Sequence, residues 1–187
     1  MTRIYLGVGT NTNRDHYLRR GLDALEQLLG PLSLSPVFES DAVGILGTRF
    51  YNMAVAADCA LGLAELNVAL KAIEAACGRR EQTVPGRITL DIDILLYGAL
   101  SGRHEGIQLP RPEVYHNAFV LWPLALLAPR LDIPGSEHSA ASLWLDWQGH
   151  QTVWPVAFDW RGQALTPEPL LRQALPETQA TPGTGAA

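Results

Sequence analysis

Two aspartates, Asp91 and Asp93, stand two residues apart in the run Leu90-Asp91-Ile92-Asp93-Ile94-Leu95-Leu96-Tyr97-Gly98. The run is apolar and contains β-branched residues, so it predicts a strand. Alternation then sends both carboxylates to one face and Leu90, Ile92 and Ile94 to the other. Neighbouring carboxylates repel each other and lose hydration unless a cation bridges them. Hard Mg²⁺, with its preference for oxygen, suits the pair, and it leaves positions for waters and a nucleotide phosphate. The competing reading is a pair of solvated aspartates on an edge strand. The flanks favour the metal: Arg79, Arg80 and Arg87 lie upstream and Arg111 lies downstream. Acidic ligands ringed by guanidinium groups suit a metal-bound polyphosphate.

The elements that must position these residues follow from periodicity and punctuation. Ile4 to Gly9 predicts a first strand, with Thr10-Asn11-Thr12-Asn13 as turn and capping residues. Leu18, Leu22, Leu25 and Leu29 recur at helical spacing, and Gly30-Pro31 ends that helix. Leu32 to Phe38 predicts a second strand, Glu39 to Arg49 a long loop, and Phe50 to Ala57 a third strand. Gly62 to Cys77 predicts a helix with Leu63, Leu66, Leu70 and Ile73 on one stripe and Gly78 beyond its end. Arg79 to Arg87 forms a polar loop that leads into the aspartate strand. The order strand, helix, strand, strand, helix, strand is the ferredoxin-like α+β plan, an antiparallel sheet with helices on one face. Beyond it lie a turn-rich insert over Ala99–Gln108 and the stiff Leu109-Pro110-Arg111-Pro112. A third helix over Asn117–Leu127 contains Pro123. Leu143–Trp160 holds four of the five tryptophans, which suits a final strand pair or a hydrophobic cap on the sheet.

The chain has 187 residues, 47% of them apolar, enough for one domain over residues 1–165 with a substantial core. Residues 166–187 read as a tail, disordered from about Pro176, because Pro, Gly, Thr, Gln and Ala offer little to bury. A net charge of −5 argues against non-specific nucleic-acid binding and polybasic membrane attachment. Cys59 and Cys77 have no metal or redox spacing and read as buried thiols of a reduced, cytoplasmic protein. The N-terminus does not resemble a signal peptide, and no apolar run approaches membrane-spanning length.

Several ordered motifs resemble one family over roughly residues 3–161. These are Gly7-Val8-Gly9-Thr10-Asn11, Ser35-Pro36-Val37-Phe38-Glu39-Ser40-Asp41-Ala42-Val43-Gly44 and Phe50-Tyr51-Asn52-Met53-Ala54-Val55. Thr89 to Gly98, Phe119-Val120-Leu121-Trp122-Pro123-Leu124 and Ala128-Pro129 complete the set. Together they are similar to the 6-hydroxymethyl-7,8-dihydropterin pyrophosphokinases of folate biosynthesis. The resemblance implies transfer of a pyrophosphoryl group from ATP to the pterin hydroxymethyl group, with release of AMP. It implies a pair of Mg²⁺ ions on Asp91 and Asp93, bridging ATP phosphates and the pterin hydroxyl. Asn52 would hydrogen-bond the pterin edge, backbone groups of Ser40, Asp41 and Val43 would complete it, Phe119 would stack on the ring, and Phe50 stands where the family often has tyrosine. Glu74, Arg79, Arg80 and Arg111 would lie about the ATP phosphates, and Arg79, Arg87 and Arg111 would support the aspartates in the transfer.

The chain departs from this pattern in its phosphate-binding part. Gln82 to Thr89 lacks the family's tryptophan, Ile88 stands where its last arginine is expected, and Arg87 is displaced by one. Pro110-Arg111 replaces a Pro-His pair, and Asn117 replaces the arginine before the stacking phenylalanine, with His116 beside it. The metal and pterin parts are therefore kept while the phosphate clamp is rebuilt. A paralogue acting on a related pterin, or a pterin-binding module without turnover, are the alternatives this leaves.

Overall fold

Strand β1 (Thr2–Thr10) buries Ile4, Leu6 and Val8 on one face and leaves Tyr5, Gly7 and Gly9 on the other. The structure, a computed structural model, describes residues 1–42, 48–79 and 86–173. Helix α1 (Arg14–Leu29) lays Leu18, Leu22 and Leu25 fully buried on the first face of β1, as the leucine spacing predicts. Each such leucine contributes roughly 1.5–3 kcal/mol of burial. Strand β4 (Arg49–Cys59) pairs with the whole length of β1 through Tyr51–Cys59. Helix α2 (Leu63–Ala76) packs Leu63, Leu66 and Leu70 into the same core as α1. Strand β5 (Asp91–Tyr97) pairs with the other edge of β1.

The expected second strand is two strands. β2 (Ser33–Leu34) and β3 (Val37–Asp41) both pair with β4, but their registers differ by one residue. The break falls at Ser35-Pro36, where proline cannot donate to the ladder. Ser35 replaces the lost pairing: its hydroxyl accepts the Ala54 N–H at 2.8 Å and its own N–H donates to Ala54 O at 3.0 Å. The strand also runs further than expected, so Glu39, Ser40 and Asp41 belong to β3 and not to a loop.

The main sheet runs β5-β1-β4-β3-β8, with β2 also on β4 and every pairing antiparallel. Its first four strands have the ferredoxin-like order, and β8 (Val153–Val156) is an added edge strand. Helices cover both faces rather than one. On the second face, α3 (Glu113–His116), α4 (Ala118–Leu127) and α5 (Ala140–Leu145) close a smaller core around Leu95, Leu96, Val114, Leu124 and Ile133. Helix α4 is apolar on nearly every side, so it must be enclosed and cannot lie at a surface with one polar stripe. Between β5 and α3, the strands β6 (Gly102–His104) and β7 (Ile107–Leu109) form a small hairpin.

The tryptophan-rich end serves both cores. Trp144 of α5 stacks on Trp122 of α4 with ring centroids 5.0 Å apart, Trp154 sits on β8, and Trp160 closes the first core on β9 (Asp159–Trp160). Ordered packing continues past residue 165. Thr166 is buried and its hydroxyl accepts the Val37 N–H, after the short β10 (Gln163–Ala164) and before α6 (Glu168–Arg172). The tail expected to be disordered, from about Pro176, lies outside the described residues. Cys59 and Cys77 are buried and unpaired with each other. Among the described residues, no helix is long and apolar enough to cross a membrane.

Candidate active site

Strand register brings the expected residues together on the second face of the sheet. Asp91 faces Gly9 across the β5–β1 ladder, Gly9 faces Asn52 across β1–β4, and Asn52 faces Phe38 across β4–β3. One step along, Asp93 faces Gly7 and Gly7 faces Ala54. The two glycines keep this floor open. A Cβ on Gly9 would stand 3.3 Å from Asn52 Oδ1, and one on Gly7 would stand 3.3 Å from a Leu95 methyl. Above the floor is a cavity of about 300 Å³ walled by Ser40, Asp41, Phe50, Asn52, Asp91, Asp93, Arg111, Asn117 and Phe119.

The acid pair is crowded. Burial and the charge of Asp91 push the Asp93 carboxyl up to about 6, although Arg111 and Lys71 pull the other way. Two arginines partly compensate: Arg79 binds Asp91 through Nη1, and Arg111 Nη2 lies 3.3 Å from Asp93 Oδ1. Burial opposes the charge on Arg79, but the hydrogen bond and charge of Asp91, with Glu74 and Asp93, outweigh it and raise its pKa. Arg111 is placed by its backbone, whose N–H donates to Leu95 O at 2.9 Å. Its Nε lies 3.3 Å from Glu113 Oε2 without hydrogen-bond alignment, so the guanidinium retains unused donor capacity.

At the opposite end, Asn52 is 7% exposed and its Nδ2 donates to Ser40 Oγ at 2.9 Å. A buried amide needs such partners. Phe50 and Phe119 stand over the same space, one from β4 and one from α4. Arg87 is exposed and does not line the cavity, whereas its neighbour Ile88 does. Val43 and Arg80 lie outside the described residues.

Glu74 has a supporting place. Its side chain is 4% exposed, and its Oε1 accepts the Ile92 N–H at 2.7 Å and the Lys71 ammonium at 2.8 Å. Ile92 sits between the two aspartates, so Glu74 pins the backbone that aims them. Lys71 escaped the sequence reading; its signal is the three-residue spacing to Glu74 on the helix face beside β5. With Asn67, Gln108, Asp93 and Arg111 it lines a second cavity of about 280 Å³. Asp93 and Arg111 thus stand at the junction of two cavities. Asn11, a turn residue that closes the Gly7-Val8-Gly9-Thr10-Asn11 motif, has a further place. Its Oδ1 accepts the Ile88 N–H at 2.7 Å and its Nδ2 donates to Gly86 O at 2.6 Å, which anchors the approach to β5 beside the acids.

The donor set suits a hard divalent cation. Among the described residues, no group of three or more Asp, Glu, His or Cys could hold a metal, so two carboxylates are the available anchor. That matches Mg²⁺, which takes one or two carboxylates and completes its shell from phosphate and water. The raised pKa of Asp93 expresses the same demand, a charge without full compensation.

The chain is similar to proteins of one family. Residues 5–129 match the family described as 7,8-dihydro-6-hydroxymethylpterin-pyrophosphokinase (HPPK). A 2-amino-4-hydroxy-6-hydroxymethyldihydropteridine pyrophosphokinase of Pseudomonas aeruginosa is 38% identical over 145 residues, 73% of this chain and 86% of that protein. Its Aquifex aeolicus namesake is 32% identical over 136 residues, 72% of this chain and 85% of that protein. The crystal structure of Plasmodium falciparum HPPK-DHPS with pteroate superposes with a TM-score of 0.63 at 13% identity, over 77% of this chain and 44% of that chain, a likeness of fold. Matched in sequence over most of its length, the chain belongs to the 7,8-dihydro-6-hydroxymethylpterin-pyrophosphokinase family.

Proposed function

We propose that this chain transfers the pyrophosphoryl group of ATP to the hydroxymethyl group of 6-hydroxymethyl-7,8-dihydropterin and releases AMP. The observation that carries the assignment of its site is the single cavity in which the Asp91/Asp93 pair and the Ser40-held Asn52 amide face each other across a glycine floor. Family membership supports the reaction, and the shape and lining of this cavity support the pterin and metal parts of the site.

The pterin occupies the cavity with its amide-like edge on Asn52 and on the backbone of Ser40 and Asp41. Phe119 and Phe50 hold its flat ring, and the hydroxymethyl group points toward the acids. ATP lies in the second cavity, past Lys71, with its phosphates at the junction formed by Asp93 and Arg111. Asp91 and Asp93 would hold Mg²⁺, a pair of ions by analogy with the family, which would supply charge neutralisation beside the phosphates. Arg79 and Arg111 keep the acids ionised and add positive charge where the transferred group passes. Glu74 acts beneath them by fixing Ile92 and Lys71. Interactions that tighten as charge spreads over the phosphate lower the barrier, and each is worth several kcal/mol.

The test is product identity. With ATP, Mg²⁺ and the hydroxymethyl pterin, AMP forms, and omission of either Mg²⁺ or the pterin stops it. ADP in place of AMP overturns pyrophosphoryl transfer. Pterin binding without AMP reassigns the chain as a binding module.

A further inference from the structure

The arginine expected before the stacking phenylalanine is Asn117 in this chain, and its amide is wired to a residue far away in sequence. Gln151, just before β8 and beyond the family-matched span of 5–129, sends its side chain to the start of α4. Its Oε1 accepts the Ala118 N–H at 2.7 Å, and its Nε2 donates to Asn117 Oδ1 at 3.1 Å. The order of these two bonds is forced. A backbone N–H accepts nothing, so the end of Gln151 that meets Ala118 must be the carbonyl oxygen. The other end is then the NH₂ group, and the atom of Asn117 that receives it must be Oδ1. Asn117 lines the cavity, and among the described residues no group accepts from its Nδ2.

We infer that Asn117 presents its side-chain N–H₂ to a hydrogen-bond acceptor of the bound heterocycle, a carbonyl oxygen or ring nitrogen, and that Gln151 is the positioning residue that sets this polarity. This rests on the heterocycle occupying the cavity as proposed above. The segment that carries Gln151 is itself held at the other wall. Thr152 O accepts the Asp41 N–H at 3.4 Å, and Val153 pairs with Ser40. One stretch of chain therefore connects the strand that holds the Asn52 end of the ring to the helix that carries Phe119. The result is a specificity device: the donor and acceptor identities of the Asn117 amide are fixed by Gln151 before substrate arrives.

Gln151→Glu keeps the acceptor for Ala118 and deletes the donor for Asn117. The Asn117 amide then turns to donate to the new carboxylate and shows its oxygen to the cavity. The expected result is a rise of roughly three- to tenfold in the pterin KM and in the pterin Kd from titration, with the ATP KM and the Tm unchanged. Asn117→Asp, which keeps an oxygen for Gln151 and loses the donor to the ring, produces the same selective loss and serves if the first variant folds poorly. In Gln151→Glu combined with Asn117→Leu, the pterin KM is no worse than in Asn117→Leu alone. Additive losses, an unchanged pterin KM, or equal rises in both KM values together with a lower Tm overturn the inference. A wild-type chain that does not bind the pterin overturns the functional reading beneath it, and that result is distinct from all of these.

Discussion

Replacing Asp93 by asparagine separates what the acid pair does for the reaction from what it costs the fold. In the folded chain the Asp93 carboxyl is pushed from 3.8 to about 6, first by burial and then by Asp91. A raised carboxyl pKa means that the native state binds the proton more tightly than the unfolded chain does. Stability is therefore full below the unfolded value, declines as pH rises through the folded value, and stays low above it. A shift of this size corresponds to about 3 kcal/mol in all, of which about 2 kcal/mol falls between pH 4.5 and 7.5. Asp93→Asn abolishes that titration. In EDTA, the variant gains on the wild type by about 2 kcal/mol between pH 4.5 and pH 7.5, or about 4–8 °C in Tm for a domain of this size. Comparing the difference between the two proteins cancels titrations they share. Mg²⁺ stabilises the wild type at pH 7.5 and does not stabilise the variant, while AMP formation by the variant falls to background. Thermal denaturation followed by circular dichroism, with and without Mg²⁺ at both pH values, reads all of this. A Tm difference that does not grow with pH refutes the crowding argument. An Asp93→Asn enzyme with full turnover refutes the metal assignment.

Phe119→Ala weakens pterin binding by about tenfold, since a stacked ring is lost, and leaves ATP binding little changed; paired titrations with each substrate check this, and the reverse order rejects the stacking role. Arg111→Ala lowers both ATP affinity and rate, because the guanidinium stands at the junction of the two cavities with donor capacity in reserve; steady-state kinetics with varied ATP decide it. Gly9→Ala places a methyl 3.3 Å from Asn52 Oδ1 and raises the pterin KM several-fold with little loss of Tm, because the displaced group is a side chain and not backbone.

Local pattern carried much of the fold. The spacing of Leu18, Leu22 and Leu25 marked the buried stripe of α1, and strand alternation placed Asp91 and Asp93 opposite Leu90, Ile92 and Ile94, which are buried in the first core. These readings depend only on the helix and strand repeats, which adjacent residues express together. The division of β2 from β3 was less legible although Pro36 was in plain view. Proline signals that a ladder bond is lost, but whether the strand ends or resumes one register over depends on Ser35 finding Ala54. The covering of the second face was missed because the ferredoxin-like order describes only the first part of the chain, while α4 is recognised as enclosed only by the absence of a polar side.

By itself, the sequence determined the chemical inventory: two acids on one face, a cluster of arginines near them, an amide and aromatic rings on neighbouring strands, and an ordered set of motifs that place the chain in its family. Tertiary structure decided the partnerships. Which arginine meets which acid, Glu74 lying under Ile92 and not at an open surface, Lys71 facing the second cavity, and Gln151 setting the polarity of Asn117 are all contacts between separate elements. No repeat along the chain encodes them. They arise when strand register and helix docking bring remote side chains within hydrogen-bond reach, and the same meeting of elements turns a list of reactive groups into a shaped and polarised cavity.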